Sequence, residues 1–348
     1  MSNSIQSRFT IDREREIIRI MLDAFTGGET SGQPYFSTDA ERFRFAGKEF
    51  LFTTDEFSAE DLFRDHDLSI LGWNLAVATI SDIYACGGTP MFFGHSVSVP
   101  SGWTNIQIRD LSRGIASCLE QSEISFIGGD LGFSEQWHYT GIVLGKAQRP
   151  LSRLGAQAGD IIYITGTIGK GNLEAALKLY SDHPALKHLP NCLVNRFSLR
   201  KTESKLIRNI ANCCIDTSDG VLKALQTIAE INRVGFVVNN LPYSPEGISV
   251  TRLLGQPDEL LFMGESGEYE LLFTVSQEME PVLLRKAGQR KLVFHKIGYI
   301  TESQDILLVE KNRTLDLQKF RFCARDFPDI GIYLDKLVTT LKNETVDK

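Results

Sequence analysis

The chain has 348 residues, of which 42% are hydrophobic and 23% are charged, as in ordinary soluble globular proteins. Its formal net charge is −7 and its pI is about 5.5, which argues against a nucleic-acid-binding protein, because such proteins usually carry a basic face. The length favours two domains, since single hydrophobic cores stop growing at roughly 250–300 residues.

The cysteines and the hydrophobic segments predict a cytoplasmic protein with no membrane partner. The six cysteines show no CxxC pair and no zinc-like spacing to histidine: Cys86, Cys118, Cys192, Cys213, Cys214 and Cys323. We interpret them as reduced, mostly buried thiols. The segment Met1–Gln6 has no apolar signal-peptide core, and no run approaches the roughly 18 apolar residues of a membrane span.

In the first half of the chain, predicted helices and strands lead to aspartates. A helix that begins at Thr10 and ends at Gly27-Gly28 is followed by a polar loop that reaches Asp39. The predicted strand over residues 50–54 presents Asp55 at its end. The next predicted helix, over residues 69–86, is apolar nearly all round, which indicates a buried helix.

This buried helix carries Asp82 in its last turn, where the helix macrodipole disfavours a carboxylate. An acidic residue there is paired, bound to a metal ion or exposed, and the sequence offers no obvious cationic partner on that face. A strand over 93–100 and a helix over 105–119 precede a short buried strand over 124–127. Gly128-Gly129-Asp130 follows directly, so we expect a tight turn with the acidic residue at the strand end.

The segment Pro150–Gly159 is rich in turn residues and separates two predicted strands, so we place the domain boundary there, between residues 1–152 and 153–348. The second half has predicted helices over 171–181, 203–212, 220–232 and 278–287, and predicted strands over 160–165, 235–239, 269–275, 292–298 and 305–309. Because both halves mix strands and helices, the sequence predicts two α/β or α+β domains.

Five aspartates in short, loop-like settings stand beside small or hydroxyl residues: Asp39, Asp55, Asp82, Asp130 and Asp219. If they lie together, their charges raise one another's pKa and repel, so the site requires cations. Magnesium takes oxygen ligands, keeps several waters and bridges carboxylates to phosphates. The residues therefore predict a magnesium-dependent enzyme that uses ATP.

Other candidate motifs have structural interpretations beside functional ones. In Asp216-Thr217-Ser218-Asp219-Gly220 a serine or aspartate caps a helix and the glycine is incidental, but the same helix start also holds phosphate. Thr165–Gly171 lacks the GxxxxGK[ST] spacing, so we reject a Walker motif. The six histidines are scattered, and Arg196–Lys201 is interpreted as solvated, with phosphate contact as the minor alternative.

Six strings together resemble the thiamine-monophosphate kinase family, within the aminoimidazole ribonucleotide synthetase superfamily. They are Thr38-Asp39-Ala40, Thr53-Thr54-Asp55, Thr79-Ile80-Ser81-Asp82, Gly128-Gly129-Asp130, Asp216-Thr217-Ser218-Asp219-Gly220 and Gly264–Leu271. No single string is specific, but their order and spacing match the family over residues 10–310. The resemblance implies a two-domain α/β (α+β) fold with an N-terminal mixed sheet, and a homodimer in which the N-terminal sheets of two subunits meet.

The resemblance also implies roles for individual residues. Magnesium around the ATP phosphates is expected to bind at Asp39, Thr53, Thr54, Asp55, Asp82, Asp130 and Asp219. Nucleotide contacts are expected from Gly129, Asp130, Arg153 and Ser218. Asp216 is expected to face the substrate phosphate, and Asp216 and Asp219 are the expected catalytic residues. The implied reaction is direct in-line transfer of the γ-phosphoryl group, which needs positioning and charge neutralisation more than a nucleophile.

The acceptor side departs from the family's pattern. Leu62 replaces a family histidine, and the family's late glutamate aligns with Gly267 or, after a shift of one residue, with Glu268. Residues 327–331 offer no clear equivalent of the terminal aromatic, and Leu131-Gly132-Phe133 replaces Thr-Thr-Arg. Three functions stay open: a kinase acting on thiamine monophosphate or a similar acceptor, an ATP-dependent synthetase or dehydratase that activates an amide oxygen, and a non-catalytic nucleotide-binding protein.

Overall fold

The computed structural model describes residues 13–22, 36–186, 193, 195–310 and 313–346. The predicted helix start at Thr10 lies outside these residues, and so does Cys192. The first described helix, α1, spans Arg13–Leu22. From residue 36 onward the described chain forms two sheets, and the predicted domain boundary falls in the segment that connects them.

The N-terminal sheet has five strands in the order β1-β2-β5-β3-β4. Their bounds are β1 Glu41–Phe45, β2 Lys48–Ser58, β3 Thr89–Pro100, β4 Ser125–Ser134 and β5 His138–Lys146. Strands β3 and β4 are parallel and the other neighbours are antiparallel, so the predicted mixed sheet is confirmed. Two further described helices belong to this half: α2 Leu68–Ala85 and α3 Asn105–Ser122.

The two faces of this sheet differ in exposure. Side chains alternate along a strand, and in β2 the buried positions Leu51, Thr53 and Phe57 alternate with exposed Phe52 and Thr54. The buried face packs against α2. The opposite face, which we call the open face, exposes these large apolar side chains: Phe43, Phe45, Phe52, Phe92 and Ile142.

Two predicted strands ended too early. Strand β2 continues through Asp55 and pairs with β5 as far as Ser58, and β4 continues through Asp130 to Ser134. Both aspartates therefore lie within strands instead of in the turns that follow them. A polar residue in an otherwise apolar run suggested a strand end, but backbone pairing with the neighbouring strand extends the ladder past it.

The second sheet has seven strands in the order β12-β11-β8-β10-β6-β9-β7. The strands are β6 Ile161–Ile164, β7 Cys213–Asp216, β8 Gly235–Val238, β9 Leu271–Val275, β10 His295–Thr301, β11 Ile306–Glu310 and β12 Arg313–Asp316. The helices are α4 Lys170–Leu179, α5 Lys201–Ile207, α6 Val221–Asn232, α7 Pro245–Leu253, α8 Leu260–Met263, α9 Glu280–Gln289 and α10 Ile330–Val346. The sequence analysis missed β1, β7, β12, α7, α8 and α10, most of them short elements with weak periodicity.

Helix α2 joins the two halves. It is buried nearly all round, as its composition predicts, and its core cluster includes residues of both sheets. Trp73 Nε1 donates to the Phe197 carbonyl at 2.8 Å, and Asn74 exchanges hydrogen bonds with the backbone of Asn195 and Phe197. Among the described helices it alone is long and apolar enough to cross a membrane, but 89% of it is buried inside the protein, as in the core helix of a soluble protein.

The cysteine prediction is confirmed for the five cysteines that the structure describes. All five are free, and four of them are buried: Cys86, Cys118, Cys213 and Cys214. The two-domain α/β (α+β) fold class is also confirmed, because both halves contain a sheet covered by helices.

Candidate active site

Three aspartates from distant parts of the chain meet where the two halves join. Asp39 precedes β1, Asp82 lies in the last turn of α2, and Asp216 ends β7. A carboxylate oxygen from each lies within 4.8 Å of the other two. We call these three residues the carboxylate cluster.

Each member of the carboxylate cluster accepts hydrogen bonds from a neighbouring side chain. Thr53 Oγ1 donates to Asp82 at 2.5 Å, and Ser81 Oγ donates to Asp216 at 2.5 Å. Arg153 donates from Nε and Nη2 to one oxygen of Asp39, at 3.1 and 2.8 Å. These contacts fix the three carboxylates in place, because each is held from an element other than its own.

Burial, together with repulsion between neighbouring carboxylates, raises the pKa of three acidic groups in the site. Burial, followed by the charges of Asp216, Asp219 and Asp39, raises the pKa of Asp55 to about 8. Burial and then Asp39 raise the pKa of Asp216 to about 7, and burial with neighbouring carboxylates raises the pKa of Asp82 well above its usual value. Full ionisation of all these groups near neutral pH therefore requires a compensating cation.

The donor set suits a hard divalent cation. The carboxylate cluster offers three carboxylates, and the hydroxyl of Thr53 lies beside Asp82, so every donor is oxygen. Magnesium and calcium prefer such ligands, whereas zinc and copper sites usually include histidine or cysteine. The raised pKa values of Asp55, Asp82 and Asp216 support this, because they come from burial and then from neighbouring carboxylates, and a bound cation offsets both.

A cavity of about 770 Å³ begins at Asp55, Asp82 and Asp216 and extends between the two halves of the molecule; we call it the interdomain cavity. Aromatic side chains contribute to its walls: Phe57, Phe63, Phe197, Tyr269, Phe327 and Tyr333. Carboxylates also line it: Glu56, Glu60, Asp61, Glu174, Glu265, Asp329 and Asp335. Its size is sufficient for a drug-sized ligand, since such pockets measure roughly 300–1,000 Å³.

Some predicted site residues lie beside the carboxylate cluster without joining it. Asp55 is on the buried face of β2, and its pKa responds to the charges of the cluster. Asp219 and Ser218 are exposed and line the interdomain cavity, and Ser218 Oγ donates to Asp216 at 2.9 Å. Arg153 contacts the site through Asp39.

Other predicted residues are not brought to the carboxylate cluster. Thr54 faces the opposite side of β2 from Thr53 and Asp55, because successive side chains alternate along a strand. Gly129 and Asp130 lie on β4, separated from β2 by β3 and β5, and both are exposed. Their expected contacts with magnesium and nucleotide stay predictions.

The glycine of the Asp216–Gly220 string is not incidental, contrary to the structural interpretation of that turn. Gly220 itself occupies the N-cap of α6 with φ of 81°, and no described side chain caps the helix. A Cβ at this position would lie 2.3 Å from the Gly264 carbonyl oxygen. Only glycine fits this conformation and this approach, so the turn that carries Asp216 and Asp219 depends on it.

The basic side chains of Arg196–Lys201 contact other residues of the protein. Arg200 forms a two-pronged ion pair with Glu270 at 2.5 Å and also contacts Glu203. Lys201 pairs with Glu123, and the guanidinium of Arg196 lies 3.3 Å from the centre of the Trp73 ring. These contacts favour a structural role over contact with substrate phosphate. The stretch was expected to be solvated, and this expectation is wrong for Arg200, whose side chain is mostly buried.

Sequence reasoning missed the aromatic walls of the interdomain cavity. Phe63, Phe197 and Tyr269 contact one another by their rings, although they lie in three separate segments. Phe327, in the segment where no terminal aromatic could be aligned, lines the cavity and contacts Tyr333. The only sequence signal was the aromatic residue type, which is equally typical of a core position.

Comparisons with known proteins identify relatives over most of the chain. The family model "AIR synthase related protein, N-terminal domain" matches residues 37–147, and "AIR synthase related protein, C-terminal domain" matches residues 157–310. A curated thiamine-monophosphate kinase of Bacillus subtilis is 30% identical over 72% of this chain and 79% of its own length. A second, from Archaeoglobus fulgidus, is 26% identical over 82% of this chain and 93% of its own.

A similar fold occurs among solved structures. The structure described as AaThiL complexed with AMPPCP and TMP superposes with a TM-score of 0.70, covering 86% of this chain and 96% of that one. The two sequences are 22% identical, so this likeness concerns the fold.

Proposed function

Because the chain belongs to the AIR synthase related family and, within it, to the thiamine-monophosphate kinases, we propose that it transfers the γ-phosphoryl group of ATP to thiamine monophosphate. The products are thiamine diphosphate and ADP. The curated relatives carry this activity in their names, and a protein of the same fold was solved with AMPPCP and TMP.

The observation that supports the proposal most is that the carboxylate cluster and the interdomain cavity share a boundary. Asp82 and Asp216 belong to the carboxylate cluster and also line the interdomain cavity. A phosphorylated acceptor in the cavity therefore has its phosphate at the end where the ATP phosphates are proposed to lie. Because the two phosphates are then held side by side, the transfer becomes a reaction within one complex instead of a bimolecular encounter.

The proposed site uses magnesium, held by the carboxylate cluster with support from Asp55 and Asp219. Bound there, magnesium neutralises phosphate charge and so lowers the electrostatic cost of bringing two phosphorylated molecules together. Arg153 keeps Asp39 oriented, and Thr53 and Ser81 do the same for Asp82 and Asp216. The acceptor is itself a phosphate, so the chain needs no side chain to act as nucleophile.

The interdomain cavity suits an acceptor with an aromatic ring system. Phe63, Tyr269 and Phe327 provide flat apolar surfaces, and aromatic rings gain by offset or edge-to-face contact with such groups. The surrounding carboxylates favour a cationic acceptor, which fits the positively charged thiazolium of thiamine monophosphate. Leu62 is half-buried in the cavity wall, where the family pattern has a histidine.

Product analysis tests this function directly. Purified protein is incubated with ATP, magnesium and thiamine monophosphate, and the nucleotides and thiamine phosphates are separated chromatographically. We expect ADP and thiamine diphosphate in equal amounts. Free phosphate with a new carbon–nitrogen bond in a supplied amide substrate would instead indicate the synthetase or dehydratase chemistry, and magnesium-dependent ATP binding without any product would indicate a non-catalytic protein.

We also propose that the protein is a cytoplasmic homodimer in which the open faces of two N-terminal sheets pack together. The open face exposes Phe45 by 69%, Phe43 by 41% and Ile142 by 37%, an apolar patch that a second copy of the same sheet can bury. The free cysteines agree with a reducing compartment.

Light scattering after size-exclusion chromatography tests the dimer. We expect about twice the chain mass of 38.9 kDa for the unaltered protein and a monomer for Ile142→Glu, because a charge in the centre of the interface is desolvated without a partner. Ile106→Glu is the matched control, since Ile106 is exposed on α3 and outside the open face. A monomeric unaltered protein would contradict this assembly.

A further inference from the structure

The loop between β2 and α2, residues 59–66, is held against the second half of the molecule; we call it the strap. It has no regular secondary structure, and Leu62 and Phe63 from it line the interdomain cavity. The strap therefore forms part of the proposed acceptor site although it belongs to the N-terminal half. Its position depends on contacts with elements far away in the sequence.

Helix α4 provides the contacts that hold the strap. Arg64 donates from Nε and Nη2 to the two carboxylate oxygens of Glu174, at 2.7 and 2.6 Å. Arg64 also donates to the Leu193 carbonyl oxygen. From the other side, Lys178 Nζ donates to the carbonyl oxygens of Ala59 and Asp61, at 2.8 and 2.7 Å.

The ion pair between Arg64 and Glu174 is largely removed from solvent. The Arg64 side chain is 15% exposed and that of Glu174 is 6% exposed. A buried ion pair adds little net stability, because desolvation of both charges offsets their attraction, whereas its geometry is restrictive. An ion pair in this place therefore does more to fix one arrangement of the strap than to stabilise the fold.

The ion pair between Arg64 and Glu174 fixes the position of Phe63 among the aromatic side chains of the cavity. Phe63 follows Leu62 and precedes Arg64, and its ring lies parallel to Tyr269 at 6.4 Å between centroids, with an interplanar angle of 13°. It also contacts Phe57 and Phe197 edge to face. If Arg64 moved to the place of a neighbouring residue in the strap, Phe63 would leave this stack and Leu62 would leave the cavity wall.

We propose that Arg64 is a positioning residue for the acceptor: its ion pair with Glu174 holds the strap so that Leu62 and Phe63 form a fixed wall of the interdomain cavity. This inference rests on the phosphotransferase function proposed above. Arg64 contacts no member of the carboxylate cluster in the described structure, so its loss weakens acceptor binding and leaves ATP binding intact.

The test compares steady-state kinetics of Arg64→Gln and Glu174→Gln with the unaltered protein. We expect the KM for thiamine monophosphate to rise roughly ten- to a hundredfold, because small displacements of positioning groups have effects of this size. The KM for ATP should stay within about twofold. Arg64→Lys, which keeps the charge, should recover part of the loss. The double variant should be no worse than Glu174→Gln, because Glu174→Gln already removes the same contact and also one carboxylate of the cavity wall.

Arg313→Gln is the matched control. Arg313 is also largely buried, at 22% exposure, and also pairs with two carboxylates, those of Glu259 and Glu310, but it does not line the interdomain cavity. We expect it to lower thermal stability without changing the KM for the acceptor. An equal rise of the acceptor KM in Arg313→Gln and Arg64→Gln would overturn the inference, because general loosening of the fold would then explain both.

Limited proteolysis by a glutamate-specific protease, mapped by mass spectrometry, tests the strap without any activity. Cleavage after Glu60 should be slow in the unaltered protein and faster in Arg64→Gln, with Arg313→Gln unchanged. Equal cleavage rates in all three proteins would overturn the role of Arg64. If the unaltered protein makes no thiamine diphosphate but the proteolysis pattern holds, the proposed substrate is wrong while the strap is held as inferred.

Discussion

The carboxylate cluster and the interdomain cavity share a boundary, but their side chains are held in different ways. In the carboxylate cluster, Asp39, Asp82 and Asp216 are fixed by short hydrogen bonds from hydroxyl groups and an arginine, within a few residues of recognisable sequence strings. In the cavity, ring contacts and one buried ion pair join segments that are far apart in sequence. The first arrangement tolerates little change in residue type, whereas the second can be rebuilt with different side chains.

The difference agrees with the pattern of departures from the family. The strings around the carboxylate cluster are retained, whereas Leu62, Gly267 and residues 327–331 depart on the acceptor side. Phosphate and metal chemistry restricts ligands to oxygen donors at defined distances. An aromatic pocket instead requires area and shape, which several combinations of residues satisfy.

The largest expected effect comes from removing one charge from the carboxylate cluster. Asp82→Asn should lower turnover by about a thousandfold, the scale of losing an electrostatic stabiliser in an active site. Its unfolding temperature in a chelator should be equal to or above that of the unaltered protein, because burial and neighbouring carboxylates raise the pKa of Asp82 and the amide removes this repulsion. Asp110→Asn, an exposed change on α3, is the control for both measurements.

An unfolding temperature of Asp82→Asn well below that of the unaltered protein would contradict this prediction. Asp82 would then be a structural residue, and the carboxylates would be held together for the fold.

Glu268 is a buried acidic residue that belongs neither to the carboxylate cluster nor to the lining of the interdomain cavity. Burial raises the pKa of Glu268 to about 8, although it accepts hydrogen bonds from the Gly169 and Lys170 backbone at the start of α4. A folded-state pKa above the unfolded value means that the folded protein binds more protons, so stability falls as pH rises from about 4.5 through 8. Glu268→Gln has no such charge and should lack this fall.

Chemical denaturation at pH 5, 6.5 and 8 measures the effect of Glu268→Gln. The variant should gain stability relative to the unaltered protein as pH rises, by at most about 4 kcal/mol across these three pH units, since one pKa unit corresponds to about 1.4 kcal/mol. Turnover should change less than threefold. Parallel stability curves for the two proteins would contradict the assignment of a raised pKa to Glu268.

The smallest expected effect concerns the far wall of the cavity. Phe327→Ala should raise the KM for thiamine monophosphate roughly tenfold through lost ring contact, with the KM for ATP unchanged. Phe327→Trp should restore tight binding. Phe322→Ala is a suitable control, because Phe322 belongs to the same aromatic group but does not line the interdomain cavity. Equal effects of the two alanine variants would show that the group acts through packing alone.

Features that depend on local interactions could be predicted from the amino-acid sequence. The all-round apolar helix α2, the two mixed α/β halves and the oxygen-rich strings around Asp39, Asp82 and Asp216 all follow from residue type and spacing. Which aspartates meet could not be predicted in this way, because it depends on how distant segments pack. Asp82 and Asp216 are 134 positions apart and share the carboxylate cluster, whereas Asp130, in a string that looked equivalent, lies exposed on β4.

The reason is that strand pairing and side-chain alternation are set by partners elsewhere in the chain. Strand β2 extends past Asp55 because β5 pairs with it, and this register puts Thr53 on the buried face and Thr54 on the open face. The strap likewise has no local signal, because Arg64 and Glu174 are brought together by the packing of the two halves. Contacts between distant segments therefore cannot be predicted from residue spacing and are seen only in the folded chain.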